Sequence, residues 1–222
     1  MHFLCLHGLG TNSQVFEVQT AGLRYELGDQ HTFEFVEGTI PWPMAPGISS
    51  LFDTDGSYYS YFDPNSPKSA LDALHQLDEY VMAEGPFDGV LAFSQGACLA
   101  AMHLIRKRQQ DSRGGQAQPP FNCAIFLSSI PAYDAVAFEN RGEVRLLEPA
   151  TDGQPIQIPT VHIWGQQEDS KKDSELLKEL CNAQLATIFV HGGGHEVPGL
   201  GAKGDVTGAV KAIRRAILKA QK

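Results

Sequence analysis

The sequence predicts an α/β fold with a mainly parallel sheet. Strand-length apolar runs lie at residues 3–6, 33–36, 90–93, 124–127, 160–164 and 187–190. Uninterrupted runs of this length are typical of strands that are buried on both faces. Segments of helical length separate them, at residues 13–27, 67–83, 96–108, 171–181 and 203–219. Strands that alternate with helices indicate a parallel sheet with helices packed on its faces.

Two of these segments carry helix signals of their own. Ser66 and Pro67 precede apolar residues at three- and four-residue spacing, which is the pattern of a helix that begins at a proline and buries one face. The last segment repeats Val206, Val210 and Ile213 at the same spacing, so we expect it to pack against the sheet.

Length and composition fit one globular domain. With 222 residues, 22 Gly and 13 Pro, the chain has ordinary globular usage, and we predict a single domain over residues 1–222 without a separate cap. The longest predicted loop, residues 38–67, then serves as a lid or substrate loop. A loop of this length inside a domain is usually functional or disordered.

Charge and cysteine usage narrow the class of protein. The net charge of −9 argues against a nucleic-acid partner, because nucleic-acid binders usually present a basic surface. We predict free thiols in a reducing compartment, because the cysteines are far apart and form no CxxC pair; they are Cys5, Cys98, Cys123 and Cys181. No apolar stretch approaches a membrane span or a signal peptide, so we expect a cytoplasmic protein without a membrane partner.

The strongest chemical signal follows the third strand, where a buried run ends at Ser94 and a helix with small residues begins. This is the context of a nucleophile elbow, a tight turn that lifts a serine hydroxyl above the sheet edge. The turn requires small residues two positions before and after the serine, and these are Ala92 and Gly96. Ser94 is therefore the candidate nucleophile.

A second signal is the turn His7-Gly8-Leu9-Gly10 at the end of the first strand. Such a turn can offer a backbone amide to a developing negative charge. By analogy, the amides of Leu9 and Gln95 would form the oxyanion hole. We interpret His7 as a structural residue that hydrogen-bonds the turn.

The base and the acid are expected after the last two strands. His195 lies in a glycine-rich stretch after the final strand and is the candidate base, with His191 as a competitor nearer the strand end. The preceding strand runs into Glu168 and Asp169, and either carboxylate could orient the imidazole. The chain order is then serine, acid, histidine.

The loop over residues 38–67 carries many aromatic side chains. We predict that it forms an acyl pocket over the site; the alternative is a loop that only covers one end of the sheet. The predicted substrate-binding residues are Trp42, Phe52, Tyr58, Tyr59 and Tyr61.

Together these motifs resemble the fungal family of serine hydrolases within the α/β-hydrolases, over nearly the full chain. The matching segments are residues 4–8, 89–97, 161–165 and 193–198, with Phe16, Leu23 and Arg24. In that family the triad acid is commonly an aspartate three positions after a strand-end glycine, but Glu168 stands three after Gly165. Spacing therefore favours Glu168 and residue type favours Asp169. The first strand begins near the start of the chain, so we expect the strands that precede it in larger hydrolases to be missing.

The resemblance implies an esterase or thioesterase that uses no cofactor or metal. Several family members act beside fungal polyketide synthases, so it implies an ester or thioester substrate, free or bound to an acyl carrier protein. One alternative is acyl transfer by the same triad. A rival of another class is a non-catalytic protein of this fold that binds a ligand or carrier protein.

Overall fold

The computed structural model describes residues 1–49, 56–111, 118–199 and 203–222, and in them the predicted strands form one six-stranded parallel sheet. Its strands are β1 (His2–Leu6), β2 (Thr32–Val36), β5 (Gly89–Phe93), β6 (Cys123–Leu127), β7 (Thr160–Gly165) and β8 (Ala186–His191), in the order β2-β1-β5-β6-β7-β8. A separate antiparallel pair joins β3 (Ile40–Pro41) to β4 (Tyr59–Ser60). The predicted fold class is confirmed.

The helices differ from the prediction at two places: one predicted helix is divided in two, and two short helices are additional. They are α1 (Ser13–Gln19), α2 (Ala21–Leu27), α3 (Pro67–Glu84), α4 (Gln95–Asp111), α5 (Ala135–Arg141), α6 (Pro149–Asp152), α7 (Lys171–Glu179) and α8 (Lys203–Ala220). The single helix predicted over residues 13–27 is broken at Thr20, whose hydroxyl donates to the Phe16 carbonyl at 2.7 Å. Helices α5 and α6 were not predicted, because each is too short to show a period.

Two apolar cores lie on opposite faces of the sheet. Successive side chains of a strand point to opposite faces, so Leu4 and Leu6 pack with α3, α4 and α7, whereas Phe3 and Cys5 pack with α1, α2 and α8. This double burial is the physical reason for the continuous apolar runs in the sequence. All four cysteines are free and buried.

The parallel arrangement brings the carboxyl ends of the strands to one edge of the sheet. The residues at or just beyond these ends are His7, Ser94, Ser128, Gly165 and His191. Ligands of open α/β sheets bind at this edge. Within the described ranges, no helix is long and apolar enough to cross a membrane.

Candidate catalytic site

Ser94 occupies the tight turn between β5 and α4. Its φ of 52° is in the left-handed region, which a non-glycine residue adopts only when the surroundings enforce it. The turn also needs a glycine at position 96, since a Cβ there would lie 2.5 Å from the Leu6 carbonyl oxygen. The Ser94 amide donates to the Leu127 carbonyl at 2.9 Å, which ties the turn to the neighbouring strand.

The imidazole of His195 lies between Ser94 and Glu168. Its Nε2 is 2.9 Å from the Ser94 hydroxyl, and its Nδ1 is 2.7 Å from Oε1 of Glu168. An ionised carboxylate can only accept, so Nδ1 carries the proton and Nε2 is free to accept the serine hydroxyl. The ring also contacts Phe93, with centroids 5.1 Å apart.

Glu168 is 3% exposed and every donor around it favours its ionised form. Ser170 donates to Oε1 at 2.8 Å, and Ser128 donates to Oε2 at 2.8 Å. Burial alone would raise the pKa of Glu168, but the hydrogen bonds from His195, Ser128 and Ser170 outweigh it and hold that pKa below its ordinary value.

Of the two carboxylates that the sequence left open, the structure brings Glu168 and not Asp169 to the imidazole. The Glu168 amide closes a turn on the Gly165 carbonyl at 3.2 Å, which points its side chain inward, while Asp169 is exposed. The histidine loop packs directly on this turn, because a Cβ at Gly165 would meet the Gly194 carbonyl oxygen at 2.2 Å. The structure therefore supports Glu168, and not Asp169, as the acid of the triad.

Two backbone amides near Ser94, those of Leu9 in the cavity wall and of Gln95, have no acceptor among the residues that the structure describes. In the described part of the chain, neither the Leu9 N–H nor the Gln95 N–H donates to any acceptor. The Leu9 turn is held by its neighbours, since the Gly10 amide donates to the Tyr59 carbonyl at 2.9 Å. Free N–H groups at such a place are suited to stabilising an oxyanion.

The side chains of His7 and His191 form hydrogen bonds with backbone groups. His7 is buried; its Nδ1 is 2.8 Å from the Gly8 carbonyl, and the Gly38 amide donates to its Nε2 at 2.9 Å. His191 is buried and its Nδ1 accepts from the Gly193 amide at 3.2 Å, so this nitrogen is not bonded to the serine. The structure thus places His195 alone of the three against Ser94.

A cavity of about 620 Å³ opens over Ser94 and His195. Its described walls come from the Leu9 turn, the α1–α2 junction, residues 45–48, residues 195–199 and Asp205 of α8. Among the described lining residues the charged side chains are Glu196 and Asp205, and none is a lysine or arginine. The described wall of the cavity is therefore acidic.

The structure does not place the predicted aromatic residues that it describes in the wall of this cavity. Tyr61 is buried away from the cavity, where its hydroxyl accepts from the His7 amide at 2.9 Å and donates to the Val36 carbonyl at 2.7 Å. Tyr58 packs in a small cluster with Val15 and Ile48. The cavity walls include neither these residues nor Trp42 or Tyr59, and Phe52 lies outside the described residues.

The sequence reasoning missed Ser128 and the true pocket walls. Ser128 directly follows a buried strand at the same edge as Ser94, so the strand-end rule that found Ser94 could also have found it. Val18 and Gln19 of the cavity wall belong to a helix with no chemical motif. Within the ranges described, no cluster of three or more His, Cys, Asp or Glu side chains could hold a metal ion.

A parallel α/β sheet with an elbow serine, a later carboxylate and a histidine after the last strand defines the class of α/β-hydrolases. The chain belongs to the serine hydrolase (FSH1) family, whose model matches residues 1–203. It is thus a serine hydrolase with esterase relatives, as the motifs predict.

Individual relatives agree with this family. The chain is 41% identical to Esterase FPY3 of Fusarium mangiferae, over 99% of this chain and 98% of that protein. It is 30% identical to Hydrolase phiM of a fungal species, strain ATCC 74256, over 89% of this chain and 86% of that protein.

Solved structures show the same fold at low identity. The Bacillus cereus carboxylesterase superposes with a TM-score of 0.58 at 15% identity, covering 95% of this chain and 87% of that one. Acyl-protein thioesterase 2 of Zea mays superposes with a TM-score of 0.58 at 17% identity, covering 97% of this chain and 93% of that one.

Proposed function

We propose that the enzyme hydrolyses neutral carboxylic esters through an acyl-enzyme on Ser94. The observation that carries this proposal is the hydrogen-bonded line from Ser94 through His195 to Glu168, near two backbone amides that have no acceptor within the described ranges. Nucleophile, base and orienting acid are each within hydrogen-bond reach of the next, which is the geometry that activates a serine.

In the first half-reaction the Ser94 oxygen attacks the ester carbonyl, and its proton passes to Nε2 of His195. Glu168 keeps the imidazole in the required tautomer and stabilises its protonated form, without taking the proton itself. The tetrahedral intermediate collapses as His195 donates that proton to the leaving alcohol, which breaks the ester bond. The acyl group is left on Ser94.

Water then resolves the acyl-enzyme. His195 accepts a proton from water as the water oxygen attacks the acyl carbonyl. His195 then returns the proton to the Ser94 oxygen as the carboxylic acid departs. In both steps the amides of Leu9 and Gln95 face the negative oxygen. Removal of one such donor costs about 3 kcal/mol of transition-state stabilisation in comparable sites.

The acidic cavity disfavours an anionic substrate. Glu196 and Asp205 line it, and none of its described lining residues carries a positive charge that would pair with the phosphates of a coenzyme A thioester. The net charge of −9 also disfavours an acidic carrier-protein partner. We therefore propose a free small-molecule ester in preference to a carrier-bound thioester. Action beside a polyketide synthase in the cytoplasm is proposed from the family resemblance alone.

A substrate panel with an active-site probe tests the proposal. The wild-type protein and Ser94→Ala are labelled with a fluorophosphonate and assayed on p-nitrophenyl esters and on coenzyme A thioesters of matched acyl length. We expect labelling and ester hydrolysis in the wild type only, with thioesters at least about tenfold slower. Probe labelling that survives in Ser94→Ala would remove the triad assignment, and faster thioester cleavage would reverse the substrate preference.

Product analysis separates hydrolysis from transfer. The same esters are incubated with and without an added alcohol or amine, and the products are identified by mass. We expect the free acid as the main product under both conditions. A dominant transferred product would replace the hydrolase proposal with an acyltransferase.

A further inference from the structure

The side chain of Gln95 is buried and both its oxygen and its nitrogen are hydrogen-bonded, although the reaction proposed above uses only its backbone amide. It is 1% exposed. Its Oε1 accepts from the Tyr61 amide at 3.0 Å and lies 3.1 Å from the Ser60 hydroxyl, and its Nε2 donates to the Phe62 carbonyl at 2.8 Å. The side chain therefore binds the segment over residues 60–62 on both sides.

The orientation of this amide is fixed by its partners. A backbone N–H can only donate and a carbonyl can only accept, so Oε1 must face Tyr61 and Nε2 must face Phe62. A carboxylate of the same shape could satisfy the first partner but would repel the second.

The segment that Gln95 holds also holds the opposite side of the oxyanion hole. Tyr59 pairs with the Leu9 turn through two backbone bonds, from the Gly10 amide to its carbonyl at 2.9 Å and from its own amide to the Thr11 carbonyl at 2.8 Å. The Tyr61 hydroxyl, two residues further on, accepts from the His7 amide. One short stretch thus joins Gln95 to the turn that carries Leu9.

We infer that the side chain of Gln95 is a positioning residue that fixes the two oxyanion amides relative to each other. The Gln95 N–H is the first of α4 and has no acceptor of its own in the described chain. Oxyanion donors act only when they lie within hydrogen-bond distance of the developing charge, and small misplacements are costly. The inference rests on the proposed function and adds to it a role for this side chain.

The test uses two substitutions at this position in the full-length protein. Gln95→Met removes every hydrogen bond with little change in length, and Gln95→Glu replaces the donor by a group that donates only when protonated. For both we expect kcat at neutral pH to fall about 10- to 100-fold with little change in KM, because the loss lies in the transition state. Affinity for an alkylboronic acid, whose serine adduct is tetrahedral, should fall in parallel.

The pH dependence separates positioning from general damage. Burial raises the pKa of a carboxyl group, so lowering the pH should protonate the introduced acid and let it donate to the Phe62 carbonyl. The ratio of kcat for Gln95→Glu to that of the wild type should therefore rise as the pH falls, while the same ratio for Gln95→Met stays flat. Both kcat ratios are measured only at pH values at which thermal unfolding curves show that the wild type and the variants are folded.

The matched control is Ser69→Ala. The Ser69 hydroxyl accepts from the Asp63 amide at 3.0 Å, so this variant loosens the same loop without touching Gln95. We expect wild-type kcat in the control. The inference is overturned if Gln95→Met keeps wild-type kcat and boronate affinity, or if both ratios stay flat with pH. Ester hydrolysis that survives Ser94→Ala would instead overturn the proposed function, so the two failures are distinguishable.

Discussion

Ser128 and Glu168 form a hydrogen bond of 2.8 Å between the ends of adjacent strands, on the carboxylate oxygen opposite His195. Ser128 has a φ of 42°, so the backbone is held in an uncommon conformation where its hydroxyl reaches the acid. A glutamate is longer than an aspartate by one methylene, and this second anchor restricts the freedom that the extra bond brings.

Ser128→Ala is expected to lower kcat/KM for a p-nitrophenyl ester about tenfold, since a hydrogen bond to a charged group contributes about 1.5 to 3 kcal/mol. Loss of the donor also raises the pKa of Glu168, because the Ser128 hydroxyl stabilises its ionised form. Ser128→Gly, which suits a positive φ, should be equally slow if the hydroxyl matters. The control is Ser129→Ala, because the Ser129 hydroxyl donates to the Ile130 carbonyl at 3.0 Å and not to Glu168. Equal rates for this control and Ser128→Ala would contradict the prediction.

Substitutions at the two neighbouring acids test which one serves the triad. Glu168→Gln should lower kcat by up to about ten-thousandfold, by analogy with other triads. Glu168→Asp should also be slow, because a shorter side chain cannot contact both His195 and Ser128. Asp169→Asn should retain wild-type kcat because Asp169 is exposed. Full activity in Glu168→Gln, measured by steady-state hydrolysis, would refute the assignment.

Ala45→Phe tests the cavity wall. Ala45 lines the cavity over Ser94, and a larger side chain should occupy space that a bulky acyl group needs. We expect kcat/KM for a bulky aromatic ester to fall about tenfold, which corresponds to the 1 to 3 kcal/mol typical of pocket discrimination. The acetate ester of the same alcohol serves as the internal reference. A uniform change for both esters would show that Ala45 does not face the substrate.

His162→Gln tests a buried histidine that the reaction does not use. Burial lowers the pKa of His162 to about 3, and its Nε2 lies 3.0 Å from the Thr160 hydroxyl. Below pH 6.5 the unfolded chain binds a proton there that the folded protein does not, so stability falls as the pH falls toward 3. Relative to the variant, the wild type should lose up to about 1.4 kcal/mol of unfolding free energy per pH unit between pH 6 and 4. Urea unfolding at several pH values measures this, and parallel curves would contradict it.

The sheet and two of its site residues could be predicted because each depends on local pattern. A strand buried on both faces must be apolar throughout, and the ends of such strands point to Ser94 and to the glycine-rich stretch that contains both His191 and His195. The turn at Ser94 adds a steric requirement that Ala92 and Gly96 meet. These signals lie within a few residues of the groups they identify.

The choice of acid and the pocket walls depend on long-range packing. Glu168 and Asp169 are adjacent, and only the turn on Gly165, pressed by the histidine loop, decides which one points inward. The number of aromatic residues in the loop likewise does not say which face they take. Tyr61 turns inward because its hydroxyl satisfies the His7 amide and the Val36 carbonyl.

Two described stretches of the loop over residues 38–67 contact different parts of the site. Residues 45–48 line the cavity, whereas Tyr59 and Tyr61 are bonded to the turns that carry Leu9 and Gln95. The first stretch also contacts the Leu9 turn, but through backbone, since the Ala45 amide donates to the Gly10 carbonyl at 2.8 Å. Side-chain substitutions there can therefore alter which esters are accepted while this bond is kept. Such a division lets selection diversify specificity within one catalytic frame, and it marks residues 45–48 as the place to begin a library for altered selectivity.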